Sequence, residues 1–218
     1  MDFPWVYGIA AMAVSYLCGS IPTSVWWGRA FFGVDVRQHG SRNAGATNTF
    51  RVLGPKAGIP VLLIDVMKGF LPVRVLPIFS GLSAETDPHA WVWLRVALVM
   101  ASVIGHLYPV FAGFKGGKGV ATSLGGVLAI HPGAAAACVV VFAIVFALRG
   151  YVSLASLCAA LAFPLSMVLL FHEDNAIKIG FSIALCLLVF YTHRHNIGRL
   201  LRGEENRMRL AGRSPGKT

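Results

Sequence analysis

The segment 114–123, FKGGKGVATS, has the composition of an anion-binding turn. Glycines let the backbone approach a ligand closely, and successive N–H groups in such a turn form a nest for an anion. Gly116 and Gly117 lie between Lys115 and Lys118, so positive charge flanks the flexible backbone. We therefore expect this turn to hold a phosphate group. The alternative is a basic flank that only orients the neighbouring helices.

A second glycine-containing stretch, residues 34–51, carries neutral hydrogen-bond donors close to an arginine. Serine, threonine and asparagine side chains can donate to phosphate, and the Arg51 guanidinium is a fork suited to bidentate phosphate binding. The density of donors beside Arg51 favours a ligand site over an ordinary loop. The candidate ligands of this stretch are Gly40, Ser41, Gly45, Thr47, Asn48 and Arg51.

The third polar stretch, residues 193–205, follows the last long apolar segment. If the helix of that segment continues, His193, Asn196 and Leu200 share one face. Histidine can donate to a phosphate or accept a proton near neutral pH, so His193 and Asn196 are candidate site residues. The alternative is a basic helix end that contacts lipid headgroups. We prefer that interpretation for Arg202, Arg207, Arg209 and Arg213.

Other polar residues occur within or beside apolar segments. Ser153 lies at the start of such a segment, where a serine most often caps a helix, although its hydroxyl can also serve an anion. Asp65 and Lys68 are three residues apart, and we expect a mutually neutralising buried pair, with catalysis or ion transport as the alternative. The sequence leaves open whether His106 is an interfacial histidine with its own partners or a wall of the site.

The composition of the 218-residue chain is that of a membrane protein with several spans. Hydrophobic residues make up 56% of it and charged residues 13%, and the mean hydropathy is +0.68, which exceeds what a water-soluble domain can bury. The net charge of +10 does not indicate nucleic-acid binding, because no basic tract contains interleaved aromatic residues. The four cysteines lie singly in apolar runs, so we expect neither a disulfide framework nor a metal site.

Apolar stretches predict an all-α integral membrane protein. The first stretch is preceded by no positively charged region of the kind found in cleaved signal peptides, so we expect it to remain in the mature protein. The apolar run 119–148 is interrupted at residues 131–133, HPG, and forms either two short helices or one long tilted helix. The candidate spans are residues 5–27, 52–79, 90–113, 119–130, 132–148, 151–171 and 176–193.

The distribution of positive charge decides between these alternatives. Two short helices, about 119–130 and 132–148, place every basic segment on one side, whereas one long helix sends the basic tail to the other side. Because positive loops stay in the cytoplasm, we predict seven transmembrane helices, with the N-terminus outside and the C-terminus inside. Residues 1–205 would form a single polytopic membrane domain and residues 206–218 a basic cytoplasmic tail. The three polar stretches would then share one cytoplasmic site.

The motifs resemble those of a known enzyme family. They are Gly19-Ser20-Ile21-Pro22, DVR with GSRNAGATN, His106 with FKGGKGVAT, Tyr151-Val152-Ser153, and HRHNIGRL with a following glutamate. In order and spacing they resemble the PlsY-type acyl-phosphate:glycerol-3-phosphate acyltransferases of bacteria over most of the chain. Arg42 departs from the family pattern, in which a small residue is common at this position, and adds a cation to the loop.

The resemblance implies an integral enzyme of the bacterial inner membrane that needs no metal, cofactor or acyl carrier. It implies transfer of a fatty acyl group from a long-chain acyl phosphate to the sn-1 hydroxyl of glycerol 3-phosphate, the first acylation of phospholipid synthesis. The products would be 1-acylglycerol 3-phosphate and phosphate. We expect a functional monomer that contacts membrane lipid and no nucleic acid. Because an acyl phosphate is already activated, positioning and charge stabilisation suffice without a covalent nucleophile.

The resemblance also implies roles for individual residues. Expected around the acyl-phosphate group are Ser41, Thr47, Asn48, His193, Asn196 and the backbone of Gly116 and Gly117. Expected around glycerol 3-phosphate are Arg51, Lys115 and Ser153, while Lys118 could serve either substrate. The residues expected to take part in catalysis are Ser41, Lys115, His193 and Asn196, and Gly40 and Gly45 belong to the binding loop. Either His193 or a substrate phosphate would take the hydroxyl proton, and we favour the phosphate.

The strongest alternative from another class is a membrane transporter of a phosphate ester. Transporters usually place the substrate near mid-membrane between structural repeats. Here the polar stretches gather at one predicted face, and no internal repeat is evident in the sequence. The acyltransferase interpretation is therefore favoured.

Overall fold

A computed structural model describes residues 5–208, and within this range the chain is helical throughout, without a β-strand. Short 3₁₀ turns and loops connect the α-helices. In chain order the helices are α1 (Trp5–Gly19), α2 (Thr23–Phe32), α3 (Ala46–Leu53), α4 (Pro55–Val75), α5 (Pro88–Leu107), α6 (Val120–Ile130), α7 (Pro132–Arg149), α8 (Val152–Leu165), α9 (Ala176–Thr192) and α10 (Arg194–Leu201).

Proline and glycine mark several helix boundaries. Pro22 lies between α1 and α2, Gly54 separates α3 from α4 with a φ of +78°, and Pro132 begins α7 directly after α6. Proline lacks a backbone donor and disfavours helix at the residue before it, while glycine adopts positive φ without a steric penalty. The predicted division of the apolar run 119–148 into two short helices is confirmed.

Other predicted spans are subdivided. The first consists of α1 and α2, the second begins with the short α3, and the sixth ends in a π-helical turn, Ser166–Leu170. The last is followed by α10, whose axis is bent by 62° from that of α9. The expectation that one helix continues through the third polar stretch is therefore wrong, because the chain turns at His193.

Within the described range, four helical segments are long and apolar enough to cross a membrane: Val6–Phe32, Pro88–Ala112, Pro132–Arg149 and Val152–Leu170. The bent pair of α9 and α10 adds a fifth if it is counted as one span. α4 has 21 residues but includes Asp65 and Lys68, which lower its apolarity. α6 has 11 residues, about 16 Å of helix, which is roughly half the hydrocarbon thickness of a bilayer.

Small residues allow the helices to pack closely. A Cβ at Gly69 of α4 would lie 2.0 Å from the backbone oxygen of Thr122, and one at Gly125 of α6 would lie 1.9 Å from that of Val66. Close backbone approach of this kind holds helices together where surrounding lipid supplies no hydrophobic driving force. α4 packs in this way on α6 and α1 packs on α5, whereas α7 and α9 pack on α8.

Candidate active site

A cleft of about 950 Å³ lies between α3, α4 and α6 on one side and α7, α8 and α9 on the other. It has a polar end and an apolar arm. The polar end is lined by Ser41, Thr47, Asn48, Arg51, Lys118, Ser153, His193, Asn196, Arg199 and Glu205. The apolar arm is lined by Leu124, Val127, Cys138, Val139, Phe142, Phe146, Ala159, Ala160, Phe163, Leu185, Cys186 and Val189.

The structure brings together most of the site residues predicted from the three polar stretches. Those that line the cleft are Ser41, Gly45, Thr47, Asn48, Arg51, Lys118, Ser153, His193 and Asn196. Those that do not line it are Gly40, Lys115, Gly116 and Gly117. Residues more than 140 positions apart along the chain, such as Ser41 and Asn196, thus share one cavity.

Asn48 shapes the loop before α3. Its amide donates to the carbonyl oxygens of Val36 at 2.7 Å and His39 at 3.1 Å, and its Oδ1 accepts the Ser41 N–H at 2.8 Å. Gly40 has a φ of +59°, and a Cβ there would lie 2.5 Å from the Asn48 Oδ1. The contacts occupy both amide hydrogens of Asn48, which is 1% exposed. They fix the loop that presents Ser41 to the cleft.

The lysine–glycine turn, residues 114–119, packs against the end of α5. The Gly117 N–H donates to the His106 carbonyl at 3.1 Å. A Cβ at Gly116 would lie 2.0 Å from that oxygen, and one at Gly117 would lie 2.1 Å from His106 Nε2. Packing therefore requires both glycines, and the Gly117 N–H is not free for the predicted contact with a substrate. The Lys115 side chain is exposed outside the cleft.

Lys118 supplies positive charge to the polar end. Its Nζ donates a hydrogen bond to the Asn196 Oδ1. Burial lowers the pKa of Lys118 to about 8, with the nearby Arg199 and Arg51 lowering it further and the Glu205 carboxylate acting in the opposite direction. At neutral pH the side chain is thus a cation that loses its proton under mildly alkaline conditions. The shift thus results chiefly from removal of the ammonium group from water.

Glu205 is a further residue of the polar end, and no role was predicted for it. Its carboxylate accepts hydrogen bonds from Ser153 Oγ at 3.0 Å, Asn196 Nδ2 at 2.7 Å and Arg199 Nε at 2.7 Å. Burial alone would raise the pKa of Glu205, but the hydrogen bonds from Arg199, Asn196 and Ser153 outweigh it and lower the pKa. The side chain is therefore an anion held by Arg199 and by two residues predicted for the substrate site, Ser153 and Asn196. Ser153 uses its hydroxyl here and does not cap α8.

The residues after Glu205 run back across the start of α8. The Met208 N–H donates to the Gly150 carbonyl at 2.8 Å, and Arg207 Nε donates to the Tyr151 hydroxyl at 2.9 Å. The Arg207 guanidinium also lies 5.0 Å from the centre of the Tyr151 ring, a cation–π distance. Arg207 is thus engaged within the protein. The rest of the predicted tail, with Arg209 and Arg213, lies outside the described residues.

His193 lies at the bend between α9 and α10 and is 2% exposed. Its Nδ1 is 2.8 Å from the Val189 carbonyl oxygen, an atom that can only accept. In the neutral ring the proton therefore belongs on Nδ1, and Nε2 carries a lone pair. This tautomer suits a proton acceptor better than a donor to phosphate.

A buried polar cluster lies beside the lysine–glycine turn. Lys68 Nζ is 2.9 Å from Asp65 Oδ1, and both side chains are at most 5% exposed, so the predicted buried pair is confirmed. Lys68 also donates to the Ile21 carbonyl at 3.0 Å. His106 Nδ1 is 3.2 Å from Thr122 Oγ1, and both His106 and Asp65 line the cleft. His106 is thus both a partnered buried histidine and a wall of the site.

Potential metal ligands are dispersed. Across residues 5–208, no group of three or more histidine, cysteine, aspartate or glutamate side chains is arranged to hold a metal ion. The four cysteines are free thiols in the structure. Cys138 and Cys186 serve as small lining residues of the apolar arm.

Comparison with known proteins identifies the family. A family model described as "Glycerol-3-phosphate acyltransferase" matches residues 9–203. The chain belongs to the glycerol-3-phosphate acyltransferase family. Among its relatives in that family, the glycerol-3-phosphate acyltransferase of Chlorobium limicola is 42% identical, with 92% of this chain and 96% of that protein covered. The glycerol-3-phosphate acyltransferase of Enterococcus faecalis is also 42% identical, with coverage of 92% and 91%.

Solved structures of glycerol-3-phosphate acyltransferases have a similar fold. The crystal structure of PlsY (YgiH), an integral membrane glycerol 3-phosphate acyltransferase, in its glycerol 3-phosphate form has a TM-score of 0.80 and 37% identity, covering 92% of this chain and 95% of that chain. Its lysophosphatidic acid form has a TM-score of 0.78 and 38% identity, with coverage of 92% and 94%. The family predicted from the motifs is therefore confirmed, and with it an integral membrane acyltransferase.

Proposed function

We propose that this acyltransferase moves a fatty acyl group from an acyl phosphate to the sn-1 hydroxyl of glycerol 3-phosphate. The products are 1-acylglycerol 3-phosphate and inorganic phosphate. The observation that carries the proposal is the form of the cleft, in which a cationic, donor-rich polar end continues directly into an apolar arm. An acyl phosphate has the same two parts, a phosphate head and a hydrocarbon chain. One cavity therefore suits the whole donor molecule.

Two anion subsites share the polar end in this proposal. The glycerol 3-phosphate subsite is formed by Arg51 of α3 and Ser153 of α8, whereas Lys115, exposed outside the cleft, contributes positive charge only at long range. The acyl-phosphate subsite lies between the loop before α3 and the bend after α9, with Ser41, Thr47, His193 and Asn196 as its polar groups. Lys118 lies between the two, because it contacts Asn196 and its charge interacts with that of Arg51. It neutralises whichever phosphate is adjacent.

The reaction is a direct acyl transfer. The sn-1 oxygen attacks the acyl carbonyl carbon, the new C–O bond forms, and the bond between that carbon and the phosphate oxygen breaks. The bonding electrons leave with the phosphate, whose charge the lysine and arginine side chains stabilise. The hydroxyl proton passes to a phosphate oxygen of the substrate in the route that we favour. His193 Nε2 is the protein group available for the second route, since its Nδ1 is engaged by Val189.

The membrane topology that we propose has seven spans. The spans are α1 with α2, α4, α5, α6, α7, α8 and α9, with the N-terminus outside and the C-terminus in the cytoplasm. The short α6 packs along the longer α4, which supports its placement inside the bilayer despite its length. The polar end then opens to the cytoplasm of a bacterial inner membrane. Residues 1–205 form one membrane domain with a basic tail at 206–218, and the protein works as a monomer.

A turnover assay tests the proposal. Purified protein in detergent receives hexadecanoyl phosphate and glycerol 3-phosphate, and released phosphate and 1-acylglycerol 3-phosphate are measured together. We expect both products in equal amounts, and neither when one substrate is omitted. Turnover with an acyl-carrier protein or acyl-CoA donor, but none with acyl phosphate, would refute the proposal that acyl phosphate is the donor. Product formation in the absence of a sealed membrane also distinguishes the enzyme from a transporter of phosphate esters.

A matched pair of arginine variants tests the site. Arg51→Ala removes a cation that lines the cleft, and we expect the KM for glycerol 3-phosphate to rise at least tenfold, because a charge-assisted hydrogen bond contributes about 1.5–3 kcal/mol. Arg74→Ala removes an exposed arginine of α4 that does not line the cleft, and we expect unchanged kinetics. The same KM in both variants would exclude Arg51 from the glycerol 3-phosphate subsite.

A further inference from the structure

Three of the residues that line the apolar arm are more deeply buried than its other apolar lining residues. They are Val127 of α6, Phe163 of α8 and Leu185 of α9, which are 5%, 4% and 3% exposed. All three belong to the packed hydrophobic core. Side chains packed this closely leave no room beyond them, so we place the inner end of the arm at these residues.

One face of α8 forms a groove that Phe163 closes. Ser153, Ser156, Ala160 and Phe163 all line the cleft, at spacings of three and four residues that place them on one side of the helix. The first three have small side chains, which leave room along the helix. Phe163 fills that room, and its ring packs edge-on against Phe181, with 5.8 Å between the ring centres.

The length of the arm can be read from the helices that line it. From Ser153 to Phe163 is ten residues, or about 15 Å at ~1.5 Å per residue. From His193 back to Leu185 on α9 is eight residues, or about 12 Å. An extended alkyl chain with C–C bonds of ~1.5 Å advances about 1.3 Å per carbon. The arm thus accommodates an extended chain of about 10–12 carbons.

We propose that Phe163 is the residue that sets acyl-chain selectivity by forming the floor of the apolar arm. This inference rests on the proposed function, because it takes the fatty acyl chain of the donor as the occupant of the arm. Chains of up to about 12 carbons gain a contact with each added carbon. Longer chains gain little more, since their terminal carbons meet Phe163 and must bend toward the open side of the cleft.

Two substitutions on the same face of α8 move the floor in opposite directions. Phe163→Ala removes the ring and leaves Met167, one turn further along, as the next buried side chain about 6 Å deeper. Ala160→Leu raises a new obstacle one turn nearer the polar end, about 4.5 Å above Phe163. Each shift corresponds to roughly three to five carbons of chain.

The experiment measures kcat/KM for a series of acyl phosphates from about 8 to about 18 carbons, with every protein in the same detergent. The readout is the ratio of long-chain to short-chain kcat/KM in each variant, divided by that ratio in the unmodified protein, so that partitioning of the donor into micelles cancels. One buried methylene contributes about 0.8 kcal/mol, which corresponds to a nearly fourfold change in kcat/KM. We therefore expect Phe163→Ala to raise the ratio of kcat/KM for the 16-carbon donor to that for the 12-carbon donor about tenfold or more. Ala160→Leu should lower the 12-to-8-carbon ratio by a similar factor.

Phe146→Ala is the matched control. It removes a ring of the same size from the wall of the arm on α7. Cys138, which lies eight residues earlier on the same helix, marks the deeper level of the arm, so Phe146 lies nearer the polar end. We expect it to change kcat/KM for all chain lengths by one common factor. Phe163→Leu, a smaller change in the core, replaces Phe163→Ala if the latter does not yield folded protein, and should shift the ratio in the same direction.

The outcomes test the role of Phe163 separately from the identity of the acyl donor. Chain-length ratios that stay constant in Phe163→Leu and Ala160→Leu would overturn the role of Phe163, whatever the donor. If the unmodified protein is inactive with every acyl phosphate but active with acyl-carrier protein or acyl-CoA donors, the proposed donor fails, and the same length series on the active donor still decides the role of Phe163. Opposite shifts in the two α8 variants support it.

Discussion

Changing Lys118 to arginine and to glutamine probes the electrostatics of the polar end. Lys118 is a cation below its pKa of about 8 and neutral above it. Its contribution to phosphate binding is therefore complete at neutral pH and disappears as the pH rises. An arginine at this position stays protonated throughout, because a guanidinium does not lose its proton in the pH range of the assay. The glutamine variant carries no charge at any pH and marks the activity that remains without it.

The magnitude follows from the contacts of Lys118. A hydrogen bond from a charged donor to a buried acceptor contributes about 1.5–3 kcal/mol, so Lys118→Gln should lower kcat/KM by about 30-fold at neutral pH. One pH unit above a pKa of about 8, roughly a tenth of Lys118 remains protonated. Since half of Lys118 is protonated when the pH equals this pKa, the kcat/KM of the unmodified protein should fall about fivefold between roughly pH 8 and pH 9, toward the value of the glutamine variant.

The assay is phosphate release with acyl phosphate and glycerol 3-phosphate from about pH 6.5 to about pH 9.5, corrected for spontaneous hydrolysis of the donor. Titration of the substrates affects all three proteins equally, so the informative quantity is the ratio of the unmodified protein to Lys118→Arg. We expect this ratio to fall as the pH passes 8. A ratio that is constant over the whole range would refute both the shifted pKa and the role of Lys118 as the titrating cation.

Two further changes address packing around the polar end. Glu205→Gln removes the charge that Arg199 pairs with and replaces one of the two acceptor oxygens by an NH2 donor, so one of the three hydrogen-bond partners loses its acceptor. Thermal unfolding in detergent should therefore occur at lower temperature, with a loss of about 1–3 kcal/mol, and an unchanged midpoint would show that these contacts add nothing to stability. Gly117→Ala should abolish activity and lower the yield of folded protein, because the new Cβ would lie 2.1 Å from His106 Nε2. Gly180→Ala is the control, since a Cβ at Gly180 has no atom within 4 Å, and it should behave like the unmodified protein. Similar yields and activities for these two glycine variants would contradict the packing argument.

The sequence predicted features that depend on local chemistry. Pro132 is followed by glycine and preceded by His131, and such a cluster favours a break in a helix through local chemistry alone, so the break between α6 and α7 was placed correctly. Asp65 and Lys68 were also paired correctly, because a spacing of three residues brings two side chains together on any helix. The polar stretches that meet in the cleft were recognised from their donors and cations.

Features that depend on contacts between distant segments were not predictable from the sequence. The pattern GGKG fits an anion nest and a close helix contact equally well, and only the position of His106 shows that Gly116 and Gly117 are needed for packing. Glu205 follows the end of α10, so no helical periodicity relates it to Asn196. Its place beside Ser153 results from the bend at His193 and the return of the chain across α8.

The carboxylate of Glu205 sets a condition on any molecule that enters the polar end. Ser153, Asn196 and Arg199 already have an acceptor of full negative charge within the protein. A molecule that displaces the Glu205 carboxylate must therefore supply comparable negative charge and several lone pairs. Otherwise the Arg199 guanidinium is left without a counter-ion. Head groups that are neutral, such as the hydroxyls of glycerol itself or a methyl ester, cannot meet this requirement. Glycerol 3-phosphate would then be distinguished from free glycerol because only a charged ligand can replace the Glu205 carboxylate, rather than by the shape of the cavity.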